Sequence, residues 1–440
     1  MKKISVKDIV SAVNGIFYGD KNILENYVCH VNTDSRKIVH DSLFIPLAGE
    51  KFDAHDFIEQ AFKNGAICTL SEKILDTQKN FIKVDSTYQA LLDLAEYYRN
   101  LLDVKIVAVT GSCGKTTTKD IIASVLSQKY NVSKSRGNFN NHVGLPLTIF
   151  EMDSDTQIAV LEMGTNHFSE INVLSKVARP DVCVITNIGL AHIENFVSQE
   201  GILKAKSEIF NYANDNFLAV LNGDDKYLRK LNLKNKIYCG LDDSNNIFAY
   251  DIKGQTFSVN VLPRQINLNY PGEFMIKNSL IAIAIGKYFD VPDEKIIFGV
   301  ENFQLSNMRM EFLHAKNNLT IINDVYNASP TSMKSAIDVL DSINAENKIC
   351  ILGDMFELGE NSPKFHFDIG NYLSTKKINL VICIGDLAKN IFDGINSIEK
   401  KYYKTKEEFF FAKNNFANAT VLIKASRGMH FEEIVNKLMR

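Results

Sequence analysis

The sequence predicts an α/β protein of three domains: a small N-terminal α/β unit, a central unit with a mostly parallel sheet around a phosphate-binding loop, and a C-terminal doubly wound unit. Three observations carry that expectation. Apolar runs of strand length alternate with amphipathic helical stretches along the chain. A glycine loop stands between one such run and the helix that follows it. The 440 residues exceed what one hydrophobic core serves, and at about 150 residues per domain three are expected. Restarts of the pattern place the domains at residues 1–103, 104–310 and 311–440.

The first domain reads as a helix over 6–13, a strand over 41–47, a helix over 55–63, a strand over 67–70 and a helix over 88–101. In the second, the runs 104–109, 158–163, 181–187 and 218–222 are apolar without alternation, as strands covered on both faces are. Helical patterns over 120–128, 168–177 and 199–212 separate them. Beyond residue 312 come strand 319–323, helix 330–343, strand 348–352, helix 363–373 and strand 380–385. A last strand, 420–424, and helix, 431–438, close a Rossmann-like unit. No tandem repeat or low-complexity tract interrupts the series.

Lys and Arg number 49 against 52 Asp and Glu, a net charge of −3. Basic residues such as Arg229, Lys230, Lys234 and Lys236 are interleaved with polar and apolar ones, which argues against a nucleic-acid surface. The seven cysteines are odd in number, far apart and mostly embedded in apolar runs. That is the usage of reduced core thiols in a cytoplasmic protein. Met1-Lys2-Lys3 is basic, but Lys7 and Asp8 interrupt the stretch after it, so neither a signal peptide nor a membrane span is expected.

Thr110-Gly111-Ser112-Cys113-Gly114-Lys115-Thr116-Thr117 joins strand to helix and carries the most specific chemistry. Glycines let successive N–H groups turn toward phosphates, and the helix N-terminus adds positive potential. Lys115 reaches the outer phosphates and the Thr116 hydroxyl can ligate Mg²⁺. Gly111, Ser112, Cys113, Gly114, Lys115, Thr116 and Thr117 are thus the candidates for binding a nucleoside triphosphate. Val109 stands where the general pattern has its first glycine, so the loop is a shortened variant.

Glu162 closes the run 158–163, at the end of a buried strand where ligands sit in open α/β sheets. It can bind Mg²⁺ directly or through water, or be a solvated rim acid. His192, after Asn187-Ile188-Gly189-Leu190-Ala191, is placed to face the same cleft, although a lone histidine is more often structural. Lys204 and Lys206 read as a solvated helix face unless Lys206 becomes an anionic carbamate able to approach a metal.

With these segments, the chain resembles the Mur ligase family. The resemblance rests on residues 110–119, on Gly137-Asn138-Phe139-Asn140-Asn141-His142 and the four residues after it, and on Leu161-Glu162-Met163-Gly164. It extends through the segment ending in His192, Asn323-Asp324-Val325-Tyr326-Asn327-Ala328, and Gly353-Asp354-Met355-Phe356-Glu357-Leu358-Gly359. It covers essentially the whole chain. It implies an ATP-dependent, ADP-forming amide ligase that joins D-alanyl-D-alanine to UDP-N-acetylmuramoyl-tripeptide through an acyl phosphate, as a bacterial cytoplasmic enzyme of cell-wall synthesis; a monomer is expected.

The resemblance also implies roles. Lys115 would hold the β and γ phosphates, Thr116 and Glu162 one Mg²⁺, and His192 with carbamylated Lys206 a second. Lys115, His192 and Lys206 would be the catalytic set. Asn278 would lie near the adenine, Arg309 at the hinge to the third domain, and Asp324 against the ribose or phosphates. Ser35, Arg36, Asp53 and His55 would meet the uridine nucleotide, and Asn138, Asn141, Tyr326 and Asn327 the remaining substrate. The first-domain loops are equally an N-cap and a helix start when read alone. Departures occur at Phe274 and Met275, where most relatives carry His-Asn, and at Met308 and Ala425, where relatives carry glycine. The competing readings are a sister Mur or folylpolyglutamate-type ligase, a phosphate-loop kinase, and a non-catalytic nucleotide switch.

Overall fold

Residues 1–49, 52–412, 414 and 416–440 are described by a computed structural model. Its three larger sheets occupy successive stretches of the chain. A five-stranded sheet has the order Ile16–Tyr18, Phe81–Lys83, Ala66–Ser71, Ser42–Phe44, His30–Asn32, parallel except for the first pair. A six-stranded sheet near the C-terminus runs Glu311–Ala315, Leu319–Asn323, Ala419–Lys424, Asn347–Gly353, Leu380–Ile384, Glu399–Tyr403, with only the first pair antiparallel.

Between them lies a nine-stranded sheet in which Lys105–Thr110, third from one edge, is flanked by Ile158–Glu162 and Val182–Ile185. Alternation along Lys105–Thr110 assigns its faces. Ile106 and Ala108 belong to the core that also holds the first-sheet residues Leu43 and Leu70, whereas Val107 and Val109 belong to the core that holds Ile121 and Ile281 of two covering helices. Burial on both sides explains the unbroken apolar runs. The second core continues into Val339 and Leu352 of the C-terminal unit, so apolar contact joins the central and last sheets.

Two differences from expectation have physical causes. The helix after the glycine loop is Lys115–Leu126, five residues earlier than its apolar pattern begins. Thr116, Thr117, Thr118, Lys119 and Asp120 are buried, so the first turns are polar because they serve the loop. The far edge of the central sheet is an antiparallel meander, Ile247–Lys253, Thr256–Val259 and Ile266–Asn267, that no apolar run announces. Among the described residues no helix is long and apolar enough to cross a membrane. All seven cysteines are free and five are buried, and burial pushes the Cys68 thiol up to about 12.

His366 is fully buried on helix Ser362–Leu373. Its Nε2 accepts from Met355 N–H at 2.9 Å, and Nδ1 lies 2.7 Å from the Ser362 carbonyl. This fixes a neutral ring with the proton on Nδ1, and burial holds its pKa below the ordinary 6.5. The unfolded chain therefore takes up more protons once pH falls below about 6.5, and folding stability drops from there down to the depressed folded value. Thermal melts at pH 7.5 and 5.5 should show a loss that His366→Gln reduces; an equal loss in both proteins contradicts the assignment.

Candidate active site

The glycine loop is built by close approach. Gly111 and Gly114 have φ of +149° and +80°, a side chain on Gly111 would strike Thr186 Oγ1, and a Cβ on Gly114 would come within 3.1 Å of Asn278 Oδ1. Asn187, from the adjacent strand end, latches the loop: its Oδ1 accepts from Cys113 N–H at 2.9 Å and its Nδ2 donates to the Cys113 carbonyl at 3.0 Å. Gly189 N–H donates to Ser112 Oγ at 2.9 Å. Lys115, first residue of the helix, donates to the Gly111 carbonyl at 2.9 Å. Burial lowers the pKa of its ammonium, against the opposing pull of Glu162.

Glu162 is 1 % exposed. Its carboxylate accepts from Thr116 Oγ1 at 2.8 Å and from Asn140 Nδ2 at 2.9 Å. A carboxylate and a hydroxyl at the loop are the small protein donor set that Mg²⁺ takes beside phosphate oxygens and water. Among the described residues no cluster of three His, Cys, Asp or Glu could hold a metal by itself. The donors present thus fit an ion that arrives with a nucleotide.

Lys206 is 2 % exposed on helix Gln199–Ser207. Burial, and then the Lys115 charge, push its pKa well below the lysine range. The solvated-face reading is therefore wrong for Lys206. Burial favours the unprotonated amine, and that is the form of a lysine that can add to CO₂. His192, at φ +58°, brings Nδ1 to 2.6 Å from Glu357 Oε2 of the C-terminal unit. Among the described residues that nitrogen makes no hydrogen bond of good geometry, yet the contact holds the Glu357 carboxyl below its ordinary range.

From the other side, Asp324 forms an ion pair with the buried Lys424 at 2.5 Å and accepts from Met310 N–H at 3.2 Å. The Arg309 guanidinium stacks 4.0 Å from the Tyr326 ring centre. Lys424 also donates to the Asn327 carbonyl at 2.9 Å. Asn278 is 5 % exposed, and its Nδ2 has no hydrogen-bond partner among the described residues. A buried orphan donor beside the glycine loop is what an absent ligand leaves behind.

These residues face one cleft of about 1510 Å³. Its walls carry residues 112–117, Glu162 and His192 from the central sheet, with Asn141, Asn278, Arg309, Asp324, Tyr326 and Asn327. Gly111 and Lys206 lie behind the wall, and Ser35, Arg36, Asp53, His55 and Asn138 lie outside it. Asp34 and Asp53 cap short helical turns by accepting from Arg36 and His55 N–H, each at 3.0 Å. The local capping reading of those loops therefore holds, while the His55 Nε2 is buried without a hydrogen-bond partner among the described residues. Asn140, Asn187 and Glu357 lie within the motifs, and Lys424 ends the strand 420–424, without a role in the sequence reading; each acts on a residue distant in sequence.

Residues 109–286 match the Mur ligase middle domain and residues 308–427 the Mur ligase, glutamate ligase domain. Over 455 aligned positions the chain is 39 % identical to the UDP-N-acetylmuramoyl-tripeptide--D-alanyl-D-alanine ligase of Bacillus subtilis, covering 100 % of this chain and 99 % of that one. The chain belongs to the Mur ligase family. Like other Mur ligases it is an α/β enzyme of the ATP-dependent, ADP-forming ligase class. The Escherichia coli enzyme of the same name is 31 % identical over 100 % of this chain and 99 % of its own. A crystal structure of MurF from Acinetobacter baumannii superposes with a TM-score of 0.91 at 30 % identity, covering 100 % and 99 % of the two chains. MurF ligase from Thermotoga maritima, solved in complex with ADP, gives 0.82 at 28 % identity over 93 % and 97 %.

Proposed function

We propose that this Mur ligase joins D-alanyl-D-alanine to the tripeptide of UDP-N-acetylmuramoyl-tripeptide at the expense of ATP, as a cytoplasmic monomer. The likeness to the Bacillus subtilis ligase along the full length of both chains supports the substrate pair. The observation that carries the chemistry is one cleft walled by the phosphate loop on one side and by Arg309, Asp324 and Tyr326 on the other. No observation favours a sister ligase, a kinase or a switch over this reading.

An amine and a carboxylate do not condense in water because the departing oxide is a poor leaving group. In this reading the tripeptide carboxylate attacks the γ-phosphorus of ATP, ADP leaves, and an acyl phosphate results. The dipeptide amine then adds to the acyl carbon, and the C–O bond breaks with release of phosphate. Lys115 and the N-terminus of helix Lys115–Leu126 offset the charge that builds as two anions meet. Mg²⁺, held at Thr116 and Glu162 with a second ion at His192 and carbamylated Lys206, would shield the phosphates and polarise the transferring group. Asn278 would meet the adenine and Asp324 the ribose or phosphates.

Residues 1–103 would hold the uridine nucleotide through Ser35, Arg36, Asp53 and His55, residues 104–310 the ATP, and residues 311–440 the dipeptide. Asn138, Asn141, Tyr326 and Asn327 would contact the peptide substrates. Rotation near Arg309 would bring the amine in and exclude water from the acyl phosphate.

Phosphate release measured with the tripeptide nucleotide, ATP and Mg²⁺ tests the assignment. Release that depends on D-alanyl-D-alanine, with a product heavier by the dipeptide less one water, is expected. Release that ignores the dipeptide contradicts it.

A further inference from the structure

The segment Gly353–Gly359 is anchored in the C-terminal unit at three points. Asp354 Oδ1 accepts from Ala388 N–H at 2.7 Å, Met355 N–H donates to His366 Nε2 at 2.9 Å, and Phe356 N–H donates to Ser426 Oγ at 2.9 Å. Met355 and Leu358 are buried. Between these anchors the loop presents Glu357 at φ +61°, a left-handed backbone that is costly for a residue other than glycine.

Opposite stands a second left-handed residue, His192, and the two meet at 2.6 Å across the gap between sheets. Two further contacts register the same point: Glu194 N–H donates to the Glu357 carbonyl at 3.5 Å, and a Cβ on Gly359 would sit 3.6 Å from Glu194. The Glu357 side chain is 46 % exposed, so the contact adds little to stability. Its value lies in geometry. A carboxylate held against the Nδ1 edge of an imidazole fixes the ring's direction, and with it where Nε2 points.

We infer that Glu357 is a positioning residue that reaches across from the C-terminal unit to orient the His192 imidazole, so that the ring is ready for a cation only when that unit is seated on the central sheet. Closure and completion of the site thereby become one event. The inference rests on the Mur ligase reading of His192.

The test compares the wild-type chain with Glu357→Gln and Glu357→Asp. Mn²⁺ binding in the presence of ADP is followed by electron paramagnetic resonance, alongside kcat, KM and thermal melts. In Glu357→Gln the weaker Mn²⁺ site and kcat should each fall by about 10- to 100-fold. The tighter Mn²⁺ site, the KM for ATP and the melting temperature should stay within about twofold or a few degrees, and Glu357→Asp should recover part of the loss. Unchanged weaker-site affinity, or equal loss of both sites, overturns the inference. A wild-type chain that binds Mn²⁺ with ADP but has no dipeptide-dependent turnover would overturn the ligase reading instead.

Discussion

Lys115→Ala should abolish ligation while leaving the fold intact. Among the described residues the Lys115 ammonium donates only to the Gly111 carbonyl. Its removal therefore breaks one local hydrogen bond, so the melting temperature should stay within a few degrees. Turnover responds differently, because the lysine is the preorganised cation at the site where the transferring group develops charge. Losing one such group costs on the order of 10²–10³ in rate, and more where the phosphates must first be held. Phosphate release and a thermal melt on the same sample decide the matter. Near-normal turnover would remove the phosphate loop from the mechanism.

Lys206 gives the second large effect. Burial favours its unprotonated amine, the form that adds to CO₂ to give R–NH–COO⁻ with loss of a proton, and that anion would be attracted by the Lys115 charge that opposes an ammonium. Both Lys206→Ala and Lys206→Arg should lose activity on the order of 10²-fold or more, since neither carries a carboxylate to the site. Short carboxylic acids should partly restore Lys206→Ala and should leave Lys206→Arg inactive. Wild-type enzyme stripped of CO₂ should regain its rate on adding bicarbonate. An active Lys206→Arg contradicts the carbamate, because a guanidinium cannot form it.

Where the chain buries a strand on both faces, the sequence announced it. The run 218–222 coincides with the strand Leu218–Asn222, and 319–323 with Leu319–Asn323. Edge strands were silent for the converse reason. Glu399–Tyr403 reads Glu-Lys-Lys-Tyr-Tyr and lies at the end of its sheet with one neighbour, so nothing selects an apolar run there. The meander escaped notice because Ile247–Lys253 is buried only at its start and breaks register between Tyr250 and Lys253. The site divides along the same line. Lys115, Thr116 and Glu162 are legible because a loop and a strand end each carry a local signature. The Asn187 latch and the Glu357 contact are products of the fold: each side chain acts on a partner far along the chain, and no local spacing encodes that.

In the proposed reaction the cleft passes phosphate from ATP to the tripeptide carboxylate before the amide forms. Tripeptide nucleotide carrying ¹⁸O in the reacting carboxylate reports that transfer, with the released phosphate analysed by mass. One ¹⁸O is expected in each phosphate, because the bridging carboxylate oxygen departs with phosphorus when the amine displaces it. Phosphate free of ¹⁸O alongside a correctly formed amide would contradict the acyl phosphate and the arrangement of residues argued to support it.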